Sequence, residues 1–263
     1  MKRQTLVSAQ PQPAEKSISA PTLKRNRFTY PLLLVGSTLL IFVLSQVIAF
    51  FIVGTAKSFI SHGSIHDLSD SILAQFFYIL IAESMAIWLM LLVIKKQGLS
   101  LSAIGLGRKP NSSDIGRAAL GFLIFLVIST GLGILLNQLS PEIVDKKQNI
   151  GFDNITTGSQ QALAFLALVI LPPVGEEILV RGYLYSGLRR VWNFVPALLI
   201  TSLLFGLAHL ELGSATGLVW AAAIDTLVLS VILVYLREKT GALYASMLVH
   251  MLNNLLAFFV IIK

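Results

Sequence analysis

Seven long apolar runs set the first constraint on how this chain can fold. They lie near Tyr30–Gly54, Ile72–Ile94, Ala118–Leu136, Gln161–Leu188, Phe194–Leu210, Thr216–Leu236 and Ala242–Ile262. Most of them are long enough to cross a hydrocarbon core of ~30 Å as helices. None alternates with a period of two, which disfavours a β-barrel. Charged residues make up 13% of the chain, against roughly 25% in a soluble domain. So few charges cannot cover a soluble enzyme of this size, and the hydrophobic fraction of 55% also excludes a disordered chain. Cysteine is absent, which removes disulfides, thiol nucleophiles and zinc–thiolate sites. The expected class is an all-α polytopic membrane helix bundle with about seven transmembrane helices.

The basic residues alternate between high and low along the connections. Residues 1–29 hold six Lys and Arg, the next connection holds only Lys57, and the one after holds Lys95, Lys96, Arg108, Lys109 and Arg117. Lys146 and Lys147 follow beside three acids, then Arg189 and Arg190, then none, then Arg237 and Lys239. This pattern predicts a cytoplasmic N-terminus, an external C-terminus and a multi-pass protein of the cell membrane. It also accounts for the net charge of +7 without nucleic acid. Residues 1–29 read as a disordered cytoplasmic tail rather than a cleaved signal peptide, and residues 30–160 as N-terminal transmembrane helices. Residues 161–263 hold the remaining apolar runs.

Ionisable side chains inside spans are costly and mark function or pairing. Glu83, Glu176, Glu177, Arg181, His209, Asp225 and His250 all fall in apolar runs, with Asn253 and Asn254 beside the last. Glu177 and Arg181 are four residues apart and share a helix face, so they can form an ion pair. Glu176 points elsewhere and lacks that partner, which makes it a candidate general base. Pro172 and Pro173 precede the pair within a turn. They either break the helix beside a wet cavity or kink it. Phe205 and His209 share one face by the same spacing, as do His250 and Asn254.

These residues carry a family resemblance. The run from Pro172 to Gly182, with Glu176-Glu177 and Arg181, resembles the EExxxR motif of the CPBP family, the CAAX proteases and bacteriocin-processing or self-immunity membrane proteins also called Abi. Phe205 and His209 resemble its FxxxH motif, and His250 with Asn254 its HxxxN motif, all in the right order. Val180 departs from the pattern, where an aromatic residue is common. The resemblance marks residues 161–263 as the catalytic core helices, and implies an active site inside the bundle and an intramembrane endopeptidase like the CAAX prenyl proteases. It assigns Glu176 to activating water, His209 to positioning that water and moving protons, and His250 and Asn254 to binding the oxyanion. Glu177, Arg181 and Phe205 would support the geometry. The implied partners are the lipid bilayer and a peptide or protein substrate, such as a prenylated C-terminus or a bacteriocin leader.

One Glu and two His could ligate zinc. Spending Glu176 as a ligand would remove the base, so a metal-free glutamate mechanism without cofactor is favoured, with a divalent metal such as zinc kept open. Two other functions compete: a non-proteolytic immunity or scaffolding protein, and a proton-coupled transporter relaying through Glu83 and Asp225. Glu83 and Asp225 are expected to partner an interior Arg, His or amide, or else to line the substrate cavity. His62 and His66 read as loop residues beside Asp67 and Asp70, Glu211 as a rim residue, Trp192 as an interfacial anchor, and Trp88 and Trp220 as packing between helices.

Overall fold

Helix α1 (Thr29–Ser61) runs antiparallel to α2 (Ile72–Lys96), and the two pack along their length. The Ser71 hydroxyl starts α2 by accepting from the Ala74 amide. A 3₁₀ turn at Leu101–Ile104 then leads to α3 (Ser112–Leu139). Asn111 and Asp114 cap α3 reciprocally, satisfying amides that the helix start leaves unpaired. Arg108 clamps Asp114 with two bonds of 2.7 and 2.6 Å, which fixes the entry to α3. A single turn, Pro141–Val144, follows. The chain then forms α4 (Gly158–Leu188), α5 (Phe194–Ala208), α6 (Trp220–Thr240) and α7 (Tyr244–Ile261). This computed structural model describes residues 26–61, 68, 71–144, 152, 155–210 and 220–261. The tail before residue 26, His62, His66, Asp67, Asp70, Lys146, Lys147 and Glu211 lie outside the described residues.

Five described helices are long and apolar enough to cross a membrane, rather than the seven expected: α1, α2, α3, α4 and α6. Helix α5 has 15 residues, about 22 Å at 1.5 Å per residue, and ends where His209 caps it. Helix α7 is apolar over Tyr244–Phe259 and also falls short. It begins two residues later than the apolar run suggests, because Gly241 takes a positive φ of 66° and turns the chain before Tyr244.

The bundle is turned outward in its apolar residues. Leu33 is 70% exposed and Val127 74%, and the same holds along α1, α3 and α5. Apolar patches of that extent are not carried by a soluble monomer, whereas lipid covers them. Trp88 and Trp220 belong to this outer surface, at 55% and 44% exposure, instead of packing between helices.

Helix α4 is the central element: half of its most apolar window is buried, against 11% for α3. It contacts α1, α2, α5, α6 and α7. Of the two readings of Pro172-Pro173, a break or a kink, the break is not observed: the helix runs on and widens. A π-helical stretch at Leu166–Ile170 precedes the prolines, and a second covers Glu177–Tyr185. Pro172 has no N–H to give to the Leu168 carbonyl four residues back, which loosens the ladder there. Arg189, just past α4, donates to Glu238 of α6 at 2.8 Å. That hydrogen-bonded carboxylate holds the guanidinium pKa above its ordinary value.

Helices α5 and α6 approach closely at Gly206. A Cβ there would stand 2.9 Å from both the Ala223 carbonyl oxygen and the Leu227 Cβ. Gly206→Val is therefore expected to destabilise the protein by about 1–3 kcal/mol. Gly131→Ala, which meets nothing within 4 Å, should stay within about 0.5 kcal/mol of the parent. Thermal unfolding in detergent measures both.

Candidate active site

Glu177 and Arg181 lie on the π-helical stretch of α4 with their side chains fully buried, and their charges meet at 2.9 Å. Each is held from a second helix. Arg181 Nη2 donates to the Ser230 hydroxyl of α6 at 2.7 Å. His250 of α7 donates from Nδ1 to Glu177 Oε1 at 3.1 Å. The carboxylate can only accept, so the Nδ1 of His250 carries the hydrogen and its Nε2 is left for other work. That Nε2 faces Glu176 Oε2 at 3.8 Å. Phe205 completes the arrangement. Its ring lies under the Arg181 guanidinium at 4.1 Å, and contacts the rings of His209 at 4.7 Å and His250 at 5.8 Å. A buried cation over an aromatic face gains more than an exposed one.

Glu176, one residue earlier, keeps 19% of its side chain exposed where Glu177 keeps none. Its Oε2 is buried without a hydrogen-bond partner. His209, at the end of α5, has Nδ1 at 2.9 Å from the Phe205 carbonyl oxygen. A carbonyl only accepts, so Nδ1 is the protonated nitrogen and Nε2 is an acceptor. Asn254 of α7 donates to the Leu168 carbonyl at 2.9 Å, which supplies the hydrogen bond that Pro172 cannot. One amide hydrogen of Asn254 remains for another acceptor.

Glu176 and His209 both stand in the wall between two cavities. One, of about 110 Å³, is mostly apolar and lies among α1, α2, α4 and α5, lined by residues such as Val35, Phe42, Leu179 and Leu204. The other, of about 450 Å³, is bordered by Asp225, His250, Asn253 and Asn254 from α6 and α7. The four predicted site residues Glu176, His209, His250 and Asn254 thus border one cavity. Phe205, Glu177 and Arg181 pack behind them.

The structure also places residues that the spacing did not assign. Ser230 carries no signal in the sequence beyond being polar in a span. Asp225 is hydrogen-bonded by the Ser129 hydroxyl of α3 and borders the more polar cavity; its partner is therefore a hydroxyl rather than an Arg, His or amide. Glu83 has no hydrogen-bond partner among the described residues and lines the apolar cavity with Glu176. Among the described residues, no three His, Cys, Asp or Glu side chains gather as a metal site.

Residues 158–256 match the sequence model of the family described as Type II CAAX prenyl endopeptidase Rce1-like, within the CPBP/Abi-related protease clan. The match covers α4 to most of α7 and every motif residue named above. No curated protein and no solved structure matches the chain.

Removing Arg181 strands Glu177 as a buried charge. Arg181→Met should cost about 3–5 kcal/mol in stability. Adding Glu177→Gln to it should restore part of that loss, which a thermal-unfolding double-mutant cycle reads directly.

Proposed function

We propose that this protein is an intramembrane endopeptidase that cleaves a peptide bond with a water activated by Glu176. The observation that carries this reading is the position of Glu176: an unpartnered buried carboxylate oxygen, facing one imidazole, in the wall between an apolar cavity and a second, more polar one. The apolar cavity suits a hydrophobic substrate segment and the more polar one suits water. A prenylated or otherwise apolar peptide C-terminus fits that division, and the family match to CAAX prenyl endopeptidases supports it.

In the reaction, the Glu176 carboxylate takes one proton from water as the oxygen attacks the scissile carbonyl carbon. His209 Nε2 accepts a hydrogen bond from the same water and fixes its direction. The carbonyl oxygen becomes an oxyanion, which receives the free amide hydrogen of Asn254 and, when His250 is an imidazolium, its Nε2–H. The proton on Glu176 then passes to the leaving nitrogen as the C–N bond breaks, and the carboxylate is restored. Glu177 and Arg181 take no proton; they hold His250 and Phe205 in place. The N-terminus lies on the cytoplasmic side, in keeping with the basic residues of the connections.

Two variants separate chemistry from support. Glu176→Gln should reduce cleavage of a farnesylated peptide to background while leaving the thermal midpoint near the parent's. Asn254→Ala should lower kcat by about 10²–10³ and also lower the midpoint, because the Leu168 carbonyl loses its donor. Membrane proteomics comparing the parent with Glu176→Gln, scored for C-terminal trimming, identifies the natural substrates. Cleavage that survives Glu176→Gln in purified protein would falsify the mechanism.

A further inference from the structure

Glu83 is an ionisable group within a span that the proposed mechanism leaves unused. It projects from the middle of α2 against the backbone of α4 at Gly175, the residue before Glu176. Any Cβ at Gly175 would collide with the Glu83 carboxylate. Glycine at that position is therefore what admits the acid, and the two acids line the same small cavity.

The other groups facing that cavity decide where charge can reside. Helix α1 contributes Thr38 and Gln46, both uncharged. From its own helix, Tyr78 lies near Glu83 but spends its hydroxyl on Gln46 Oε1 at 2.6 Å. Helix α5 contributes His209, whose Nδ1 is committed to backbone. Helix α4 contributes Glu176, which acts on Glu83 electrostatically. The buried cation Arg181 acts on Glu176, and the His250 imidazole stands 3.8 Å from it. No cation forms an ion pair with Glu83 among the described residues. Two carboxyls facing one mostly apolar cavity cannot both ionise cheaply.

We propose that Glu83 and Glu176 form a carboxyl pair carrying a single negative charge, with the proton held on Glu83 and the charge on Glu176. Glu83 is then a positioning residue. By staying neutral it keeps the negative charge on the base and lets an apolar substrate segment lie against α2. The step involves one proton only: loss of the Glu83 proton to solvent at high pH gives a dianion, in which repulsion disfavours the occupied site. The catalytic consequence rests on the endopeptidase reading; the protonation pattern does not.

The test is infrared spectroscopy of the purified full-length protein, which reads the C=O stretch of neutral carboxylic acids. At neutral pH, Glu83→Gln should lose one carboxyl's share of that band. Glu176→Gln should keep that share, but its titration midpoint should fall by about one pH unit or more, because the neighbouring charge is gone. If Glu83→Gln fails to fold, the shift in Glu176→Gln carries the test. A Glu83→Gln spectrum identical to the parent's at neutral pH, or an unmoved midpoint in Glu176→Gln, overturns the pair. Neither measurement needs a substrate, so a protein that cleaves nothing still answers the question. Where cleavage is measured, the alkaline limb of kcat should move up in pH in Glu83→Gln. A loss of kcat uniform across pH would instead make Glu83 merely structural.

Discussion

The buried ion pair between Glu177 and Arg181 is the interaction on which the rest of the site depends. Two opposite charges at 2.9 Å with no exposure are tolerated only with close geometry and further hydrogen bonds, although Glu177 Oε2 and Arg181 Nε stay unpartnered. Here the partners come from separate helices. Ser230 ties Arg181 to α6, His250 ties Glu177 to α7, and the Phe205 ring of α5 lies under the guanidinium. Four helices are therefore registered by one charge pair. The same contacts orient the chemistry, since the imidazole that satisfies Glu177 turns its other nitrogen toward Glu176. Adjacent glutamates acquire opposite roles because one is sealed and paired while the other borders two cavities.

The backbone of α4 makes this possible at membrane depth. Two successive prolines remove two donors from a helix that crosses the bundle's centre, where water is not freely at hand to replace them. The chain answers with π-helical widening rather than a break. The Asn254 side chain then fills one orphaned carbonyl. A structural need and a proposed catalytic role thus meet on one amide, and this locks α7 to α4 beside Glu176.

Much of the site was legible in the sequence because helix periodicity is reliable over one turn. The pairing of Glu177 with Arg181 and of Phe205 with His209 follows from a spacing of four, and both are observed. What spacing within a helix cannot give is contact between helices. Ser230 and Ser129 are ordinary polar residues until α6 and α3 are packed. Glu83 is visible as an acid in a span, yet its position against Gly175 follows only from how α2 crosses α4. Among the described residues, fewer helices are long enough to cross than apolar length suggests: α5 stops at 15 residues, and Gly241 delays the start of α7. Sequence pattern at Pro172-Pro173 does not distinguish a break or a kink from a π-helical stretch.

Whether the buried pair orients His250 toward Glu176 is read by ¹⁵N NMR of the histidine side chains. With resonances assigned by substitution, His250 should carry a proton on Nδ1, bonded to Glu177. In Glu177→Gln that signature should change, while the Nδ1–H of His209, bonded to the Phe205 carbonyl, stays as it was. A His250 whose Nδ1 is unprotonated in the parent protein, or one indifferent to Glu177→Gln, would contradict the account.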